Sequence, residues 1–142
     1  MSIGIILASH GEFAKAALGS AEMLAGQQKD VHALALTVEK SLDDLEKEVA
    51  DAYADLSSRC DVVVALCDIY GGSPFNAISR CMLKGMNMIG FTGLNLPILI
   101  DLLLSREISA EEVKEHVMSV HQQSVCPIEV QLAGDDEEDM DL

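Results

Sequence analysis

Short apolar runs alternate along this chain with longer segments in which apolar residues recur every three or four positions. The short runs predict β-strands over 2–8, 31–37, 61–67 and 87–91. The longer segments predict helices over 12–25, 41–56, 97–104 and 109–121, and a further helix that opens at Ser73. Such alternation is typical of an α/β domain in which helices cover both faces of a mostly parallel, doubly wound sheet. We therefore expect one such domain, a three-layer sandwich, over residues 1–133.

Three of the predicted helices carry recognisable start signals. Ser41 with Asp44 resembles a capping box, and Ser109 with Glu112 forms another. Ser73 is predicted as the N-cap of the third helix because a proline follows it, and proline is favoured at the first helical position. These signals indicate where the loops that follow the strands give way to helix.

The last part of the chain combines a strand-like pattern with an acidic run. Ile128, Val130 and Leu132 alternate with polar residues, as in a half-buried strand at the edge of a sheet. Because an unpaired edge strand is an aggregation hazard, we expect segment 128–132 to be exchanged between the two protomers of a homodimer. Residues 134–142 hold six acidic side chains, whose mutual repulsion predicts a disordered tail.

Composition excludes several classes of protein. The chain has 142 residues and is 49% hydrophobic, yet no apolar run approaches the roughly 20 residues of a membrane span. It opens with strand-like sequence and lacks a basic n-region, so we expect no signal peptide. A net charge of −15 disfavours binding to nucleic acids and anionic membranes. The four cysteines lack C-x-x-C spacing, which favours reduced thiols in a cytoplasmic protein, and we expect neither a metal nor a cofactor.

Two predicted strands are followed by side chains that suit phosphoryl chemistry. His10 follows the first strand and Asp68 follows the third. Because open α/β sheets place ligand sites at the carboxyl ends of parallel strands, we expect both side chains to line one crevice. A neutral imidazole is a competent nucleophile toward phosphorus, and a carboxylate that holds one ring N–H leaves the other nitrogen free to react. The alternative is a histidine that merely caps a strand, beside a solvated loop acid.

A glycine-rich turn is expected beside this crevice. Gly71 and Gly72 let backbone N–H groups approach a ligand closely, and a helix N-terminus favours an anion. The Ser73 hydroxyl is a candidate phosphoryl contact, although an ordinary tight turn with an N-cap also explains the motif when it is taken alone. A shallow apolar rim that meets partner proteins is expected from three aromatic side chains in these segments: Phe13, Tyr70 and Phe75.

Three segments, taken together, resemble a known family. They are SHG at 9–11, AEMLAGQQ at 21–28 and DIYGGSPFNA at 68–77. With them the chain resembles, over 2–132, the IIA domain of the mannose-family sugar phosphotransferase systems. The resemblance implies a cytoplasmic phosphocarrier with a parallel sheet of strand order 2-1-3-4. It also implies an additional strand, at the place of 128–132, that is exchanged across a homodimer.

The same resemblance implies a route for the phosphoryl group. The phosphocarrier protein HPr phosphorylates the histidine that matches His10 on Nε2, while the acid that matches Asp68 hydrogen-bonds Nδ1. The group then passes to a IIB domain, which phosphorylates the sugar during transport through the membrane IIC/IID complex. Some members continue into a fused IIB domain. Because this chain ends in an acidic tail, we expect its IIB partner to be a separate polypeptide.

Three other functions are alternatives to a sugar-transport phosphocarrier. A histidine phosphatase or phosphomutase clamps substrate phosphate with arginines, but neither site segment contains one, and only Arg80 is placed to approach from the third helix. The IIA-like subunit of dihydroxyacetone kinases shares the fold and an N-terminal histidine, whereas the GGSPFN stretch favours the sugar-transport branch. A non-catalytic interaction domain is disfavoured by the presence of both His10 and Asp68.

Overall fold

The computed structural model describes residues 2–132, which form four strands and five helices in alternation. The strands are β1 (Ile3–His10), β2 (Val31–Leu36), β3 (Val62–Cys67) and β4 (Met88–Phe91). The helices are α1 (Phe13–Ala25), α2 (Leu42–Ser57), α3 (Gly72–Leu83), α4 (Leu96–Leu104) and α5 (Ala110–Gln123). The predicted α/β alternation is confirmed over these elements. The acidic tail predicted over 134–142 lies outside the described residues.

All four strands run parallel in the order β2-β1-β3-β4, so the implied order 2-1-3-4 is confirmed. β1 lies near the centre, where Leu7 pairs with Ala33 of β2 on one side and with Leu66 of β3 on the other. The chain leaves β1 toward one edge to form β2 and then crosses to the opposite side to form β3. The direction of winding therefore reverses between β1 and β3, and such a reversal opens a crevice at the carboxyl ends of the two strands.

Both faces of the sheet are covered by helices, as expected for a three-layer sandwich. Ile3, Ile5 and Leu7 of β1 face a core shared with α1, α4 and α5. Ile6 and Ala8 face the opposite core, which α2 and α3 complete. All five side chains are fully buried, and burying one Leu or Ile side chain stabilises the fold by about 1.5–3 kcal/mol. Within residues 2–132, every helix is too short or too polar to cross a lipid bilayer.

The two predicted capping boxes are confirmed at α2 and α5. Ser41 Oγ accepts the Asp44 N–H at 3.0 Å, and Asp44 Oδ2 accepts the Ser41 N–H at 3.0 Å. Ser109 and Glu112 close the equivalent pair at α5, where Glu112 Oε1 accepts the Ser109 N–H at 3.1 Å. Each box satisfies backbone donors that the first turn of a helix otherwise leaves unpaired.

The start of α3 differs from the prediction, and Ser73 is not its N-cap. The N-cap is Gly71, α3 begins at Gly72, and Ser73 and Pro74 are its second and third residues. Gly71 and Gly72 adopt φ values of 77° and 83°, a left-handed conformation open to glycine, which lets the helix begin earlier. Pro74 is tolerated there because the first four N–H groups of a helix have no intrahelical partner.

The strand predicted over 128–132 does not form within the single chain, and its exchange between two copies stays a prediction. Residues 125–132 have no regular secondary structure, and Ile128 is 96% exposed. The alternating pattern indicates a preference for extended backbone, but a strand also requires a neighbour with which to form hydrogen bonds. Among the described strands, β4 lies at the edge of the sheet and pairs with β3 alone. Segment 128–132 does not lie against it in the single chain.

Candidate functional site

The parallel register brings His10 and Asp68 to one end of the sheet. Ala8 pairs with Cys67, the last residue of β3, so His10 projects two residues past this pair and Asp68 projects one. β1 is longer than predicted because Ser9 and His10 continue to pair with β2. His10 is thus the last residue of a strand, opposite Leu36 of β2. Both side chains flank the reversal between β1 and β3, and they are in contact with each other.

Asp68 holds the imidazole of His10 through a short polar contact. Its Oδ2 lies 2.8 Å from His10 Nδ1 and accepts the His10 backbone N–H at 2.9 Å. Its Oδ1 accepts the Ile69 N–H at 3.0 Å. Partial burial alone would raise the pKa of Asp68, but these three donors together hold it below its ordinary value. Asp68 is therefore ionised at neutral pH and can only accept, so in the neutral imidazole Nδ1 carries the hydrogen and Nε2 has the lone pair.

The other ring nitrogen of His10 faces the solvent and the start of α3. The His10 side chain is 47% exposed, whereas that of Asp68 is 14% exposed. A Cβ atom placed on Gly72 would lie 3.2 Å from His10 Cε1 and 3.4 Å from Nε2. The backbone of α3 can approach the Cε1–Nε2 edge of the ring this closely only because residue 72 is glycine.

The N-terminus of α3 lies beside the His10 ring and has no side-chain cap. No side chain caps its first turn, so the backbone N–H groups that begin the helix have no side-chain acceptor. Within residues 2–132, Ser73 Oγ makes no hydrogen bond. A Cβ atom on Gly71 would meet no atom within 4 Å, so the approach to this turn is open. Uncapped N–H groups and the helix dipole favour a negatively charged group beside His10 Nε2.

The three aromatic residues predicted to form a rim lie around this end of the sheet. Phe13 begins α1 and is half exposed, and Tyr70 is 81% exposed in the loop before α3. The ring of Tyr70 contacts that of Phe75, with the centroids 4.6 Å apart and the planes tilted by 46°. Sequence reasoning missed two further exposed apolar side chains in the loops after β2 and β3, Val38 and Ile69. The sequence does indicate both residues, since each is an apolar residue two positions after the end of a strand.

A buried hydroxyl beside His10 was also missed. Ser9 is fully buried, and its Oγ accepts the Ala14 N–H at 2.7 Å. The available signal was a hydroxyl residue at the end of an apolar run, five positions before the first turn of a helix. Such a residue is placed to cap the helix that follows it.

The arginines of the chain are held away from the site. Arg80, the one that was expected to be able to approach, pairs with Asp43 and Glu46 of α2. Arg59 and Arg106 bond to groups at the opposite, amino end of the sheet. Among the described residues, no arginine clamp for a phosphate substrate surrounds His10.

The amino-acid sequence matches known proteins over most of its length. A family model described as PTS system fructose IIA component matches residues 4–121. The chain is 29% identical over 127 residues to the PTS system fructose-specific EIIA component of Bacillus subtilis, covering 87% of this chain and 86% of that protein. It is 33% identical over 107 residues to the PTS system mannose-specific EIIAB component of Escherichia coli, covering 75% of this chain but only 33% of that longer protein.

Solved structures share the same fold. The mannose/sorbose specific IIA subunit of the phosphotransferase system from Enterococcus faecalis superposes with a TM-score of 0.80 at 27% identity, covering 93% of this chain and 98% of that one. The PTS IIA protein associated with the fucose utilization operon from Streptococcus pneumoniae superposes with a TM-score of 0.74 at 31% identity, covering 88% and 98%. Since the family model spans 4–121 of 142 residues, the chain belongs to the mannose-family IIA components of the sugar phosphotransferase system.

Proposed function

We propose that this chain is a phosphocarrier that accepts a phosphoryl group from phosphorylated HPr on His10 Nε2 and passes it to a IIB component. The observation that carries this proposal is the 2.8 Å contact between Asp68 Oδ2 and His10 Nδ1. This contact selects the tautomer in which Nε2 is nucleophilic, and it directs Nε2 toward the uncapped start of α3.

The chemical step is a transfer between two imidazole nitrogens. The Nε2 lone pair of His10 forms a bond to phosphorus while the bond between phosphorus and the histidine nitrogen of the donor breaks. The Nδ1 hydrogen stays on the ring, which gains positive charge, and the adjacent Asp68 carboxylate stabilises that charge. Delivery to a IIB histidine is the same step in reverse. Phosphoryl transfer of this kind depends on in-line positioning and on stabilisation of charge on the phosphoryl oxygens.

The start of α3 is suited to stabilising the negative charge on the phosphoryl oxygens. Backbone N–H groups near Gly72 and Ser73 supply partial positive charge without a full cationic side chain. The Ser73 hydroxyl adds a neutral donor, and Gly71 leaves room for the phosphoryl oxygens. Neutral donors hold the group less firmly than an arginine fork does, which suits a carrier that must release it again.

The surroundings of His10 favour contact with proteins over contact with a small substrate. The imidazole is half exposed at the carboxyl end of the sheet, and exposed Phe13 and Tyr70 lie in the segments that follow β1 and β3. We assign these residues, with Phe75, to the docking surface for HPr and IIB, and link the chain through IIB to the membrane IIC/IID complex. Both direct partners act in the cytoplasm in the systems that this chain resembles, and we place its action there.

We further propose that the working form is a homodimer. In the single chain, segment 128–132 is exposed and carries apolar side chains on alternate residues, while β4 leaves one edge of the sheet unpaired. Exchange of this segment between two copies would satisfy its backbone and cover its apolar face.

Intact-mass analysis tests the carrier function. The protein is incubated with phosphoenolpyruvate, enzyme I and HPr, and we expect it to gain one phosphoryl group that is labile in acid and stable in alkali. His10→Ala should abolish the gain. His32→Ala is the matched control, because His32 also contacts a carboxylate, Asp55 at 2.6 Å, but lies toward the amino end of the sheet. Labelling that persists in His10→Ala, or that survives acid as a phosphoserine does, would contradict the proposal.

A further inference from the structure

Ser9 is the one fully buried polar residue among residues 2–132 that is neither cysteine nor glycine. It lies next to His10 in β1, and its side chain points into the protein while that of His10 reaches the solvent. A hydroxyl in an apolar core is unfavourable unless it is hydrogen-bonded, so the contacts of Ser9 indicate what it does.

The Ser9 hydroxyl caps α1 from within the preceding strand. The N-cap residue of α1 is Glu12, whose side chain makes no capping hydrogen bond. Ser9 Oγ instead accepts the N–H of Ala14, in the first turn of α1, at 2.7 Å, and donates to the Gly11 carbonyl at 3.4 Å. The hydroxyl therefore joins the end of β1 to the start of α1 across the turn over 11–12, which directly follows His10.

This turn is fixed at two other points. The His10 N–H donates to Asp68 Oδ2 at 2.9 Å, and the Gly11 N–H donates to the Leu36 carbonyl of β2 at 2.8 Å. These bonds tie the turn to β2 and to the loop after β3, but neither ties it to α1. The Glu12 carbonyl accepts the Ala16 N–H of α1 at 2.9 Å, and the Ser9 hydroxyl adds an attachment to α1 made by a side chain.

We propose that Ser9 is a positioning residue for His10, and that its hydroxyl keeps Nδ1 on Asp68 by fixing the turn over 11–12 that follows His10. Ala14 is fully buried, so without the hydroxyl its N–H loses its partner in an apolar environment. The Ala14 N–H then needs a new acceptor. We expect the turn before α1 to shift and provide one, because the turn lies outside the helix and contains Gly11, a glycine at φ +58°. Such a shift moves the imidazole away from Asp68. The consequence for phosphoryl transfer rests on the proposed function, whereas the consequence for the tautomer does not.

The test compares Ser9→Ala with a variant that loses a cap elsewhere. Ser41→Ala is the matched control, because Ser41 Oγ accepts a first-turn N–H of α2 at 3.0 Å and lies outside the site. Two quantities are measured: the rate of phosphoryl acceptance per folded molecule, and the share of the Nδ1–H tautomer from the ¹⁵N chemical shifts of His10. For Ser9→Ala we expect a rate about 10- to 100-fold below that of the control, since small misplacements of reacting groups cost this much. We also expect a lower share of the Nδ1–H tautomer, and Ser9→Thr, which keeps the hydroxyl, should restore both.

The tautomer is measured on the unphosphorylated protein, so it separates this inference from the carrier function. If wild-type protein accepts no phosphoryl group but Ser9→Ala still shifts the tautomer, the proposed function fails and the positioning role stands. If Ser9→Ala matches Ser41→Ala in both measurements, the positioning role is overturned. Should Ser9→Ala fail to fold, Ser9→Cys keeps the shape of the side chain with only a weak acceptor. Its tautomer share should then fall below the wild-type value, and a wild-type share would overturn the inference.

Discussion

A single oxygen of Asp68, Oδ2, accepts a hydrogen bond from the backbone N–H of His10 at 2.9 Å and lies 2.8 Å from ring nitrogen Nδ1 of the same residue. The carboxylate thereby determines the orientation of the imidazole relative to its own backbone as well as its tautomer. Another histidine–carboxylate contact among residues 2–132, between His32 and Asp55, joins side chains only. The two pairs therefore allow a controlled comparison of a contact proposed to act in catalysis with one that is structural.

Replacing Asp68 with asparagine should keep the fold but slow phosphoryl transfer. In Asp68→Asn the amide can present its NH₂ group to the ring, which selects the tautomer that leaves Nε2 protonated. The expected loss in transfer rate from phosphorylated HPr is roughly 10- to 10,000-fold, the upper end being that of a triad aspartate. Rapid-quench measurement gives the rate. Asp55→Asn serves as the control and should transfer at the wild-type rate, whereas a wild-type rate in Asp68→Asn would show that the two residues are not partners.

The position of the site was predictable from sequence because it depends on strand ends. Two apolar runs end at His10 and Asp68. Because the strands that these runs form are parallel, both residues must lie at the same end of the sheet, where the strands have their carboxyl ends. The extent of β1 was less predictable, because Ser9 and His10 are polar and their pairing with β2 depends on backbone hydrogen bonds that no side-chain pattern reports.

Two features depend on contacts that sequence patterns do not record. Ser73 has the chemistry of an N-cap, but the φ values of Gly71 and Gly72 move the start of α3 ahead of it. Segment 128–132 has the pattern of a strand, but forming one depends on a neighbour outside its own sequence. The capping boxes at α2 and α5 were predictable because both partners lie within four residues of each other.

Introducing a side chain at Gly72 should impair the site as well as the fold. Gly72→Ala places a Cβ atom 3.2 Å from His10 Cε1 at a residue with φ +83°, so the imidazole or the start of α3 must move. We expect a loss of about 1–3 kcal/mol in the free energy of unfolding from backbone strain, and a slower transfer. Gly26→Ala is the control, because Gly26 has φ +84° with open space around it. Urea unfolding and transfer rates should show a loss of stability in both variants but slowed transfer in Gly72→Ala alone. Equal transfer rates would refute a close approach of α3 to the ring.

Acid should remove the stabilisation that Asp68 provides. Hydrogen bonds hold the pKa of Asp68 below its ordinary value in the folded protein. The contribution of its carboxylate to the free energy of unfolding is therefore fully present above the pKa of an aspartate in the unfolded chain, about 3.9. It is lost as the pH falls through the lower pKa of the folded state. The difference in urea midpoint between wild type and Asp68→Asn should therefore narrow when the pH is lowered from about 5 to about 2, a range in which ordinary histidines stay protonated. A difference that stays constant or widens over this range would mean that Asp68 is not stabilised as a carboxylate.

Truncation tests the proposed exchange of the C-terminal segment. A chain that ends at residue 127 should be monomeric or insoluble, because it lacks the alternating residues of 128–132. A chain that ends at residue 133 keeps them and loses only the acidic run, so it should stay a soluble dimer. Light scattering on both proteins measures the mass. A soluble dimer formed by the shorter chain would place the interface elsewhere.

The most direct test of the central claim is to identify the ring nitrogen that carries phosphorus. Uniformly ¹⁵N-labelled protein is phosphorylated through enzyme I and HPr, and the coupling between ³¹P and ¹⁵N is measured in the histidine rings at alkaline pH, where phosphohistidine is stable. We predict one phosphorylated ring, that of His10, with the coupling on Nε2 and the hydrogen retained on Nδ1. Phosphorus on Nδ1 of His10, or on any other residue, would contradict the proposal that Asp68 directs the reaction to Nε2.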